Sequence, residues 1–206
     1  MPAQQGYLLV VEDIPDILNL LDTTLKFKGY RVVTARDGRE ALEAIQKERP
    51  ALVITDVLMP GMDGFSLVHR LRINPETRDL PVIFISATYV APEDKAFALS
   101  IGVTRFIEKP VDLNEFLPTI AELLTKGAPS APPIKDLDFY NGYRERLETK
   151  RDQKTIQIAR AEQLLETLPE KEKPSFRASL LLARDERNEI QNLLDQIQEI
   201  VKKLPK

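Results

Sequence analysis

The feature that most constrains this 206-residue chain is the repeated alternation of short apolar runs with helical patterns over residues 1–127. The clearest runs are continuously apolar, which suits strands buried on both faces of a parallel sheet, and two further runs are weaker. The five runs are 7–11, 31–34, 51–54, 82–85 and 105–107. Between them, apolar residues recur every three or four positions, as in amphipathic helices. Five strand–helix repeats predict an α/β fold with an open, doubly wound, five-stranded parallel sheet and helices on both faces.

Several side chains mark the ends and faces of these helices. Asp37 predicts an N-cap, and Asp112 followed by Glu115 resembles a capping box. Ala96, Phe97 and Leu99 mark a fourth helix, which ends at Gly102. His69 falls in the middle of the third helix, where we expect a surface or boundary position.

A proline-rich segment divides the chain. Residues 127–133 read Gly-Ala-Pro-Ser-Ala-Pro-Pro, and a run of this kind forms a stiff, extended connection. The sequence therefore predicts an α/β domain over 1–127, a linker over 128–136 and a separate all-α extension over 137–206.

The extension carries a heptad pattern that predicts a coiled-coil face. Its seam residues alternate steps of four and three, with Arg187 as the one polar member: Phe176, Leu180, Ala183, Arg187, Ile190, Leu194, Ile197, Val201 and Leu204. Such a seam must be covered, so we expect either an antiparallel helical hairpin or a homodimeric coil. Phe139, Tyr140 and Tyr143 near the linker are expected to be exposed anchors for a partner.

Composition excludes several classes of function. The chain has no Cys and one His, so disulfides, Zn–thiolate sites, Fe–S clusters and multi-histidine metal sites are excluded. With 29 Lys and Arg against 32 Asp and Glu, nothing favours binding to nucleic acid or to an anionic membrane. No apolar run is long enough to insert into a bilayer, and the first residues lack a secretory pattern. We therefore expect a cytoplasmic protein.

Polar side chains gather where the predicted strands end. Glu12 and Asp13 follow the first predicted strand, Asp56 follows the third, Ser86 the fourth and Lys109 the fifth. In an open parallel sheet, functional groups meet at the carboxyl ends of the strands. A single polar residue at a strand end is usually a turn former, but the combination predicts a site.

The chemistry of this group of side chains is specific. Crowded carboxylates repel each other unless a cation joins them, and oxygen ligands without His or Cys favour Mg²⁺. Lys109 can place a positive charge on a phosphate, and Ser86 can donate a hydrogen bond to one. Carboxylates also form aspartyl phosphates, so Asp56 is the candidate nucleophile.

At these residues the sequence resembles the receiver domains of two-component response regulators. Residues 53–64, which read Val-Ile-Thr-Asp-Val-Leu-Met-Pro-Gly-Met-Asp-Gly, are similar to the phosphoacceptor segment of that family. The pairs Glu12-Asp13, Ser86-Ala87 and Lys109-Pro110 match its other motifs in order and spacing. The resemblance covers about residues 6–126 and implies the flavodoxin-like strand order 2-1-3-4-5.

The resemblance also implies a role for each matching residue. Asp56 would accept a phosphoryl group from a sensor histidine kinase. Asp13, Asp56 and the backbone carbonyl of Leu58 would hold Mg²⁺, with Glu12 acting directly or through water.

The remaining matches imply a switch. Lys109 would contact the phosphoryl group, the Lys109–Pro110 bond would be cis, and Ser86 would move to the phosphoryl oxygen. Phe106 would be the switch aromatic that turns inward when Ser86 moves. Phe106 lacks the hydroxyl of Tyr, so the resemblance implies no hydrogen bond from this side chain.

For the output of the extension, three classes of function stay open: a phosphorylation-gated interaction or dimerisation module, a transcription factor, and an enzyme or phosphorelay element. Residues 128–206 carry 15 Lys and Arg against 14 Asp and Glu, without the basic stripe of a DNA-binding domain. The same stretch has no His and no glycine-rich phosphate loop, which argues against the third class. The sequence therefore favours a signalling protein rather than an enzyme, acting through an unknown protein partner.

Overall fold

A computed structural model describes residues 6–86, 92–127, 135–169 and 171–204. The chain divides into two compact units, Met1–Ile134 and Lys135–Lys206. Ala87 and the proline-rich residues 128–134, which carried two of the sequence predictions, lie outside the described residues.

The first unit contains a five-stranded, all-parallel sheet with strand order β2-β1-β3-β4-β5. The strands are β1 (Leu8–Val11), β2 (Val32–Ala35), β3 (Leu52–Asp56), β4 (Val82–Ser86) and β5 (Arg105–Glu108). The predicted fold class and the strand order implied by the family resemblance are both confirmed.

Five helices alternate with these strands along the chain. They are α1 (Pro15–Phe27), α2 (Gly38–Lys47), α3 (Gly64–Ile73), α4 (Pro92–Ser100) and α5 (Leu113–Lys126). One face of the sheet packs on α1 and α5, and the core there is formed largely by leucine and isoleucine, including Leu25 and Ile120, which are 0% exposed.

Burial follows the sequence pattern that predicted the strands. Every residue of β1 and β3 is buried, whereas the edge strands β2 and β5 are only partly covered. The register pairs Val11 with Thr55 on one side and Asp56 with Ile85 on the other. As a result, the carboxyl ends of the central strands finish at the same edge of the sheet.

Local capping explains where three of the helices begin. Asp37 accepts hydrogen bonds from the backbone amides of Arg39 and Glu40 at 2.7 and 2.9 Å, as predicted. Asp63 caps α3 through the amide of Ser66 at 2.7 Å. Asp112 caps α5 through the amide of Asn114.

One prediction about a helix face is wrong. His69 is 2% exposed rather than a surface or boundary residue, because α3 is buried around most of its circumference and has no wide polar face. The predicted fourth helix is confirmed as α4, in which Ala98 is 0% exposed while Ala96 and Leu99 face outward. A helix of nine residues offers too few turns for spacing alone to fix its buried side.

The buried guanidinium of Arg72 ties α3 to two loops at the amino ends of the strands. Its Nη2 donates to the carbonyl oxygen of Leu80 at 2.9 Å and to that of Gly102 at 2.7 Å. Burial lowers the pKa of Arg72 to about 10, so the group remains charged at neutral pH. Leu80 precedes β4 and Gly102 precedes β5, so one side chain fixes the starts of both strands to the same helix.

The second unit is a hairpin of two long helices, α6 (Asp136–Thr167) and α7 (Lys173–Lys203). Cross-helix contacts show that the helices run antiparallel: Lys154 pairs with Glu186 at 2.6 Å, and Glu162, nearer the turn, pairs with Arg184. All nine predicted seam residues of α7 and its end are buried or half-buried. The predicted helical extension is therefore confirmed, in its hairpin form.

The predicted exposure of the aromatic side chains near the start of α6 is wrong. Phe139, Tyr140 and Tyr143 are at most 2% exposed. The ring of Phe139 lies 5.0 Å from that of Tyr140 and 5.7 Å from that of Tyr143, measured between centroids. Aromatic rings bury large areas, so these residues form part of the packed interior rather than a free surface.

Among the helices of the described ranges, none combines the length and apolarity needed to cross a bilayer.

The hairpin seam gives a stability prediction. Arg187 is half-buried between Ala183 and Ile190, and replacing a partly desolvated charge with an apolar side chain is often stabilising. We expect Arg187→Leu to stabilise the hairpin by about 1 kcal/mol, seen as slower native-state hydrogen exchange of α7 amides. Arg177→Leu, the same change at an exposed position of α7, serves as the control and should leave exchange unaltered. Equal effects of the two substitutions would contradict the prediction.

Candidate functional site

The carboxyl ends of the strands bring together residues that are far apart in the sequence. Glu12 directly follows β1, Asp56 is the last residue of β3, Ser86 is the last of β4, and Lys109 directly follows β5. Because β1, β3, β4 and β5 are neighbours in the sheet, these four positions share one rim.

Lys109 is the centre of this rim. Its Nζ donates to Oε2 of Glu12 at 2.8 Å and to Oδ1 of Asp56 at 2.7 Å. The residues Glu12 and Asp56 are 1% and 8% exposed, so both carboxylates are largely removed from water. One ammonium thus bridges two buried acids, a geometry in which charged hydrogen bonds are strong.

The pKa values reflect this crowding. Burial raises the pKa of Glu12 and that of Asp56, and the hydrogen bonds from Lys109 only partly offset this. The negative charge of Asp13 raises the pKa of Asp56 further. Burial acts to lower the pKa of Lys109, but the two carboxylates outweigh that effect and the pKa of Lys109 is raised. The ammonium form of Lys109 is therefore favoured.

Backbone groups hold the site from two sides. The amide of Leu58 donates to Oδ2 of Asp56 at 3.0 Å, so both oxygens of this carboxylate have a donor. The amide of Lys109 donates to the carbonyl oxygen of Ser86 at 2.6 Å, which joins the ends of β4 and β5. The Lys109–Pro110 peptide bond is cis, as the resemblance implied.

An aromatic series runs from the predicted switch residue into the interior. Phe106 is half-buried, and its ring lies 6.2 Å from that of Phe84, which is 0% exposed. Phe65 contacts Phe84 at 5.2 Å and Phe97 at 5.4 Å, measured between centroids. The series links β5, β4, α3 and α4.

The donor set fits a hard divalent cation. Within the ranges that the structure describes, no three Asp, Glu, His or Cys side chains already form a metal-binding group. However, Glu12 and Asp56 are desolvated, and Asp13 is near enough to disfavour the charge on Asp56. A dication would relieve this repulsion, and ligands that are all oxygen match Mg²⁺.

The structure thus brings Glu12, Asp56 and Lys109 into direct contact and places Asp13 and Ser86 on the same rim. For Leu58 the structure shows an amide donor to Asp56, whereas the family resemblance implied a role only for its backbone carbonyl, as a Mg²⁺ ligand. No residue pattern marks a backbone donor, so sequence reasoning missed this contact.

Comparison with known proteins identifies the class to which this fold and rim belong. Residues 8–121 match the family model described as the response regulator receiver domain, and the chain belongs to that family. Receiver domains are signalling modules that sensor histidine kinases phosphorylate at an acidic, Mg²⁺-binding site.

Particular relatives show how far the similarity extends. The response regulator PleD of Caulobacter vibrioides is 39% identical over 105 residues, which are 51% of this chain and 23% of PleD. The transcriptional regulatory protein YkoG of Bacillus subtilis is 30% identical over 166 residues, which are 81% of this chain and 69% of YkoG. A response regulator from Chloroflexus aurantiacus, solved by crystallography, is 32% identical with a TM-score of 0.57, and the match covers 60% of this chain and 100% of that one.

The buried acid Glu12 gives a prediction about pH. Because the pKa of Glu12 is raised in the folded state, folding favours its protonated form, and the ionised form costs stability at neutral pH. With a chelator present, Glu12→Gln should therefore unfold at a higher temperature than the wild type at pH 7. This gain should disappear as the pH falls through the raised pKa towards the ordinary value of about 4.3.

Thermal melts of both proteins at several pH values provide the measurement. Glu43→Gln, the same change at an exposed position of α2, is the matched control and should show no such gain. A gain for Glu12→Gln that persists unchanged at low pH would contradict the assignment to this carboxyl.

Proposed function

We propose that Asp56 accepts a phosphoryl group from the phosphohistidine of a sensor histidine kinase. The observation that carries this proposal is the contact of 2.7 Å between Oδ1 of Asp56 and Nζ of Lys109 at a buried rim. Phosphoryl acceptance needs a nucleophilic carboxylate beside a cation, and this contact supports assigning those roles to Asp56 and Lys109.

In the proposed transfer, a carboxylate oxygen of Asp56 forms a bond to phosphorus while the bond from phosphorus to the histidine nitrogen breaks. Lys109 holds positive charge next to the oxygens of the transferred group, and the Leu58 amide fixes the orientation of the carboxylate. Catalysis of this kind rests on positioning and charge stabilisation. The chain acts as a signalling protein whose own chemistry is limited to this transfer and to hydrolysis of the aspartyl phosphate.

The proposed cofactor is Mg²⁺. Glu12, Asp13, Asp56 and the backbone carbonyl of Leu58 would hold it, as the family resemblance implies. When bound, the ion would supply a second positive charge for the phosphoryl oxygens.

The proposed switch is a population shift. Phosphorylation adds a charge of about −1.5 to −2 at the rim. Lys109 and Ser86 reorganise around that charge, and Phe106 repacks against Phe84, to which its ring already lies close. The surface formed by α4, β5 and α5 changes as a result.

For the output, we propose phosphorylation-dependent protein–protein interaction or homodimerisation through the helical hairpin. The hairpin follows α5 in the sequence, and α6 and α7 expose Ile156, Leu164, Leu181 and Leu182 to solvent. The downstream partner is a protein rather than nucleic acid, because residues 128–206 have nearly balanced charge.

A second candidate is transcriptional output. The alignment with YkoG spans 166 residues and so extends past the receiver domain, and YkoG is a transcriptional regulatory protein. Against this candidate, the described parts of residues 135–204 contain two long helices and no compact helix-turn-helix.

The acceptor role predicts the outcome of one substitution. Asp56→Asn replaces the nucleophilic carboxylate with a neutral amide of nearly the same shape, so the variant should take up no phosphoryl group from acetyl phosphate and Mg²⁺. Intact-protein mass spectrometry gives the readout. Asp63→Asn, which preserves the N-cap of α3 in the same loop, should still be labelled. Labelling of Asp56→Asn at the wild-type rate would refute the proposed acceptor.

The output proposal predicts a change in the hairpin on activation. Loading the full chain with beryllofluoride and Mg²⁺ should alter hydrogen exchange over residues 137–204. The loaded protein should also either form a dimer, seen as a higher mass by light scattering, or bind a partner in a pull-down. Asp56→Asn is the control and should not respond. If exchange in the hairpin is unchanged by loading, coupling from receiver to hairpin is wrong; a gain in binding to DNA would favour the transcriptional candidate.

A further inference from the structure

The loop between β3 and α3, residues 57–63, supplies one of the two hydrogen-bond donors that hold the Asp56 carboxylate, the other being Lys109. Its residue Leu58 donates to Oδ2 of Asp56 at 3.0 Å. The far end of the loop closes back on its start, because the amide of Gly64 donates to the carbonyl oxygen of Val57 at 2.9 Å. A shift of this loop would therefore move a donor of the acceptor carboxylate.

The first residue of α2 contacts this loop closely. The amide of Gly38 donates to the carbonyl oxygen of Met62 at 2.9 Å. A β-carbon at position 38 would lie 2.6 Å from Cγ and 2.8 Å from the carbonyl oxygen of Met62, closer than real β-carbons approach other atoms. The positive-φ glycines of the described chain are Gly29, Gly61, Gly102 and Gly127. Gly38 is not among them, so its contact with the loop, rather than its backbone conformation, requires glycine.

Helix α2 is not free to retreat from an added β-carbon. Asp37 caps its first turn through two backbone amides, and Glu40 accepts from the amide of Arg36 at 2.9 Å. Further along the helix, Ala41 is 0% exposed and Ile45 is 9% exposed. Because the helix is capped and packed, the added atom would displace the loop instead.

We propose that Gly38 is a positioning residue for phosphoryl acceptance. Through Met62, it sets the position of the loop over residues 57–63 and thereby the orientation of the Asp56 carboxylate. This inference rests on the proposed function of Asp56 as phosphoacceptor. A small misplacement of a reacting group can reduce a rate by about a hundredfold.

The test compares labelling by acetyl phosphate at saturating Mg²⁺ in three full-length proteins. Gly38→Ala should be labelled about tenfold to a hundredfold more slowly than the wild type. Gly29→Ala is the matched control, since φ of +87° makes that substitution strained while no atom lies within 4 Å of the new β-carbon. It should lower the melting temperature but leave the labelling rate near that of the wild type.

A second readout separates positioning from a general loss of stability. In Gly38→Ala the amide of Leu58 should exchange hydrogen faster by NMR, whereas in Gly29→Ala it should not. If Gly38→Ala does not fold, Met62→Gly loosens the same contact without adding a clash and should show both slower labelling and faster exchange.

The outcomes are distinguishable. A labelling rate for Gly38→Ala within twofold of the wild type, or slow labelling with an unchanged Leu58 amide, would overturn the positioning role. Unchanged labelling and exchange in Met62→Gly would do the same if that variant has to be used. Failure of the wild type itself to be labelled would instead overturn the proposed function of Asp56.

Discussion

The Lys109 ammonium, held between the carboxylates of Glu12 and Asp56, is the interaction on which the receiver unit depends. Two buried acids would otherwise favour their neutral forms, since burial raises the pKa of each. The contact also requires the observed strand order, because only with β1, β3, β4 and β5 side by side do residues 12, 56 and 109 meet. The fold and the electrostatics of the site therefore depend on each other. The sheet brings the two carboxylates together, and the hydrogen bonds from Lys109 offset part of the free-energy cost of burying them.

In the hairpin, the contact between α6 and α7 is apolar towards both ends and polar in the middle. Tyr143 and Leu147 are buried at one end of α6, and Ile158 is buried nearer the turn. Between them, burial lowers the pKa of Lys150, and Lys154 reaches across to Glu186. Polar groups at seam positions favour one register of helix pairing over others. The polar residues in the middle of the hairpin thus lower its stability but favour one alignment of the two helices.

Much of the fold could be predicted because the residues that become buried in strands and helices form regular apolar patterns in the sequence. Continuous apolar runs predicted β1, β3 and β4, and Asp37 marked the start of α2. The candidate site was predictable for a related reason: the residues that follow parallel strands must share one rim. Contacts that depend on how the helices and loops pack together could not be predicted from the sequence.

Three residues illustrate that limit. His69 is polar yet buried, because α3 is covered on nearly all sides. Tyr140 is an aromatic residue in a long helix, and spacing alone does not distinguish a packed ring from an exposed one. Gly38 directly follows the N-cap residue Asp37, and nothing in the spacing shows that an added β-carbon there would meet Met62 in a neighbouring loop. The guanidinium of Arg72 has one further consequence: it hydrogen-bonds the residues that precede β4 and β5, so a rearrangement of these two strands would be smallest at their amino ends and largest at their carboxyl ends, beside Ser86 and Lys109.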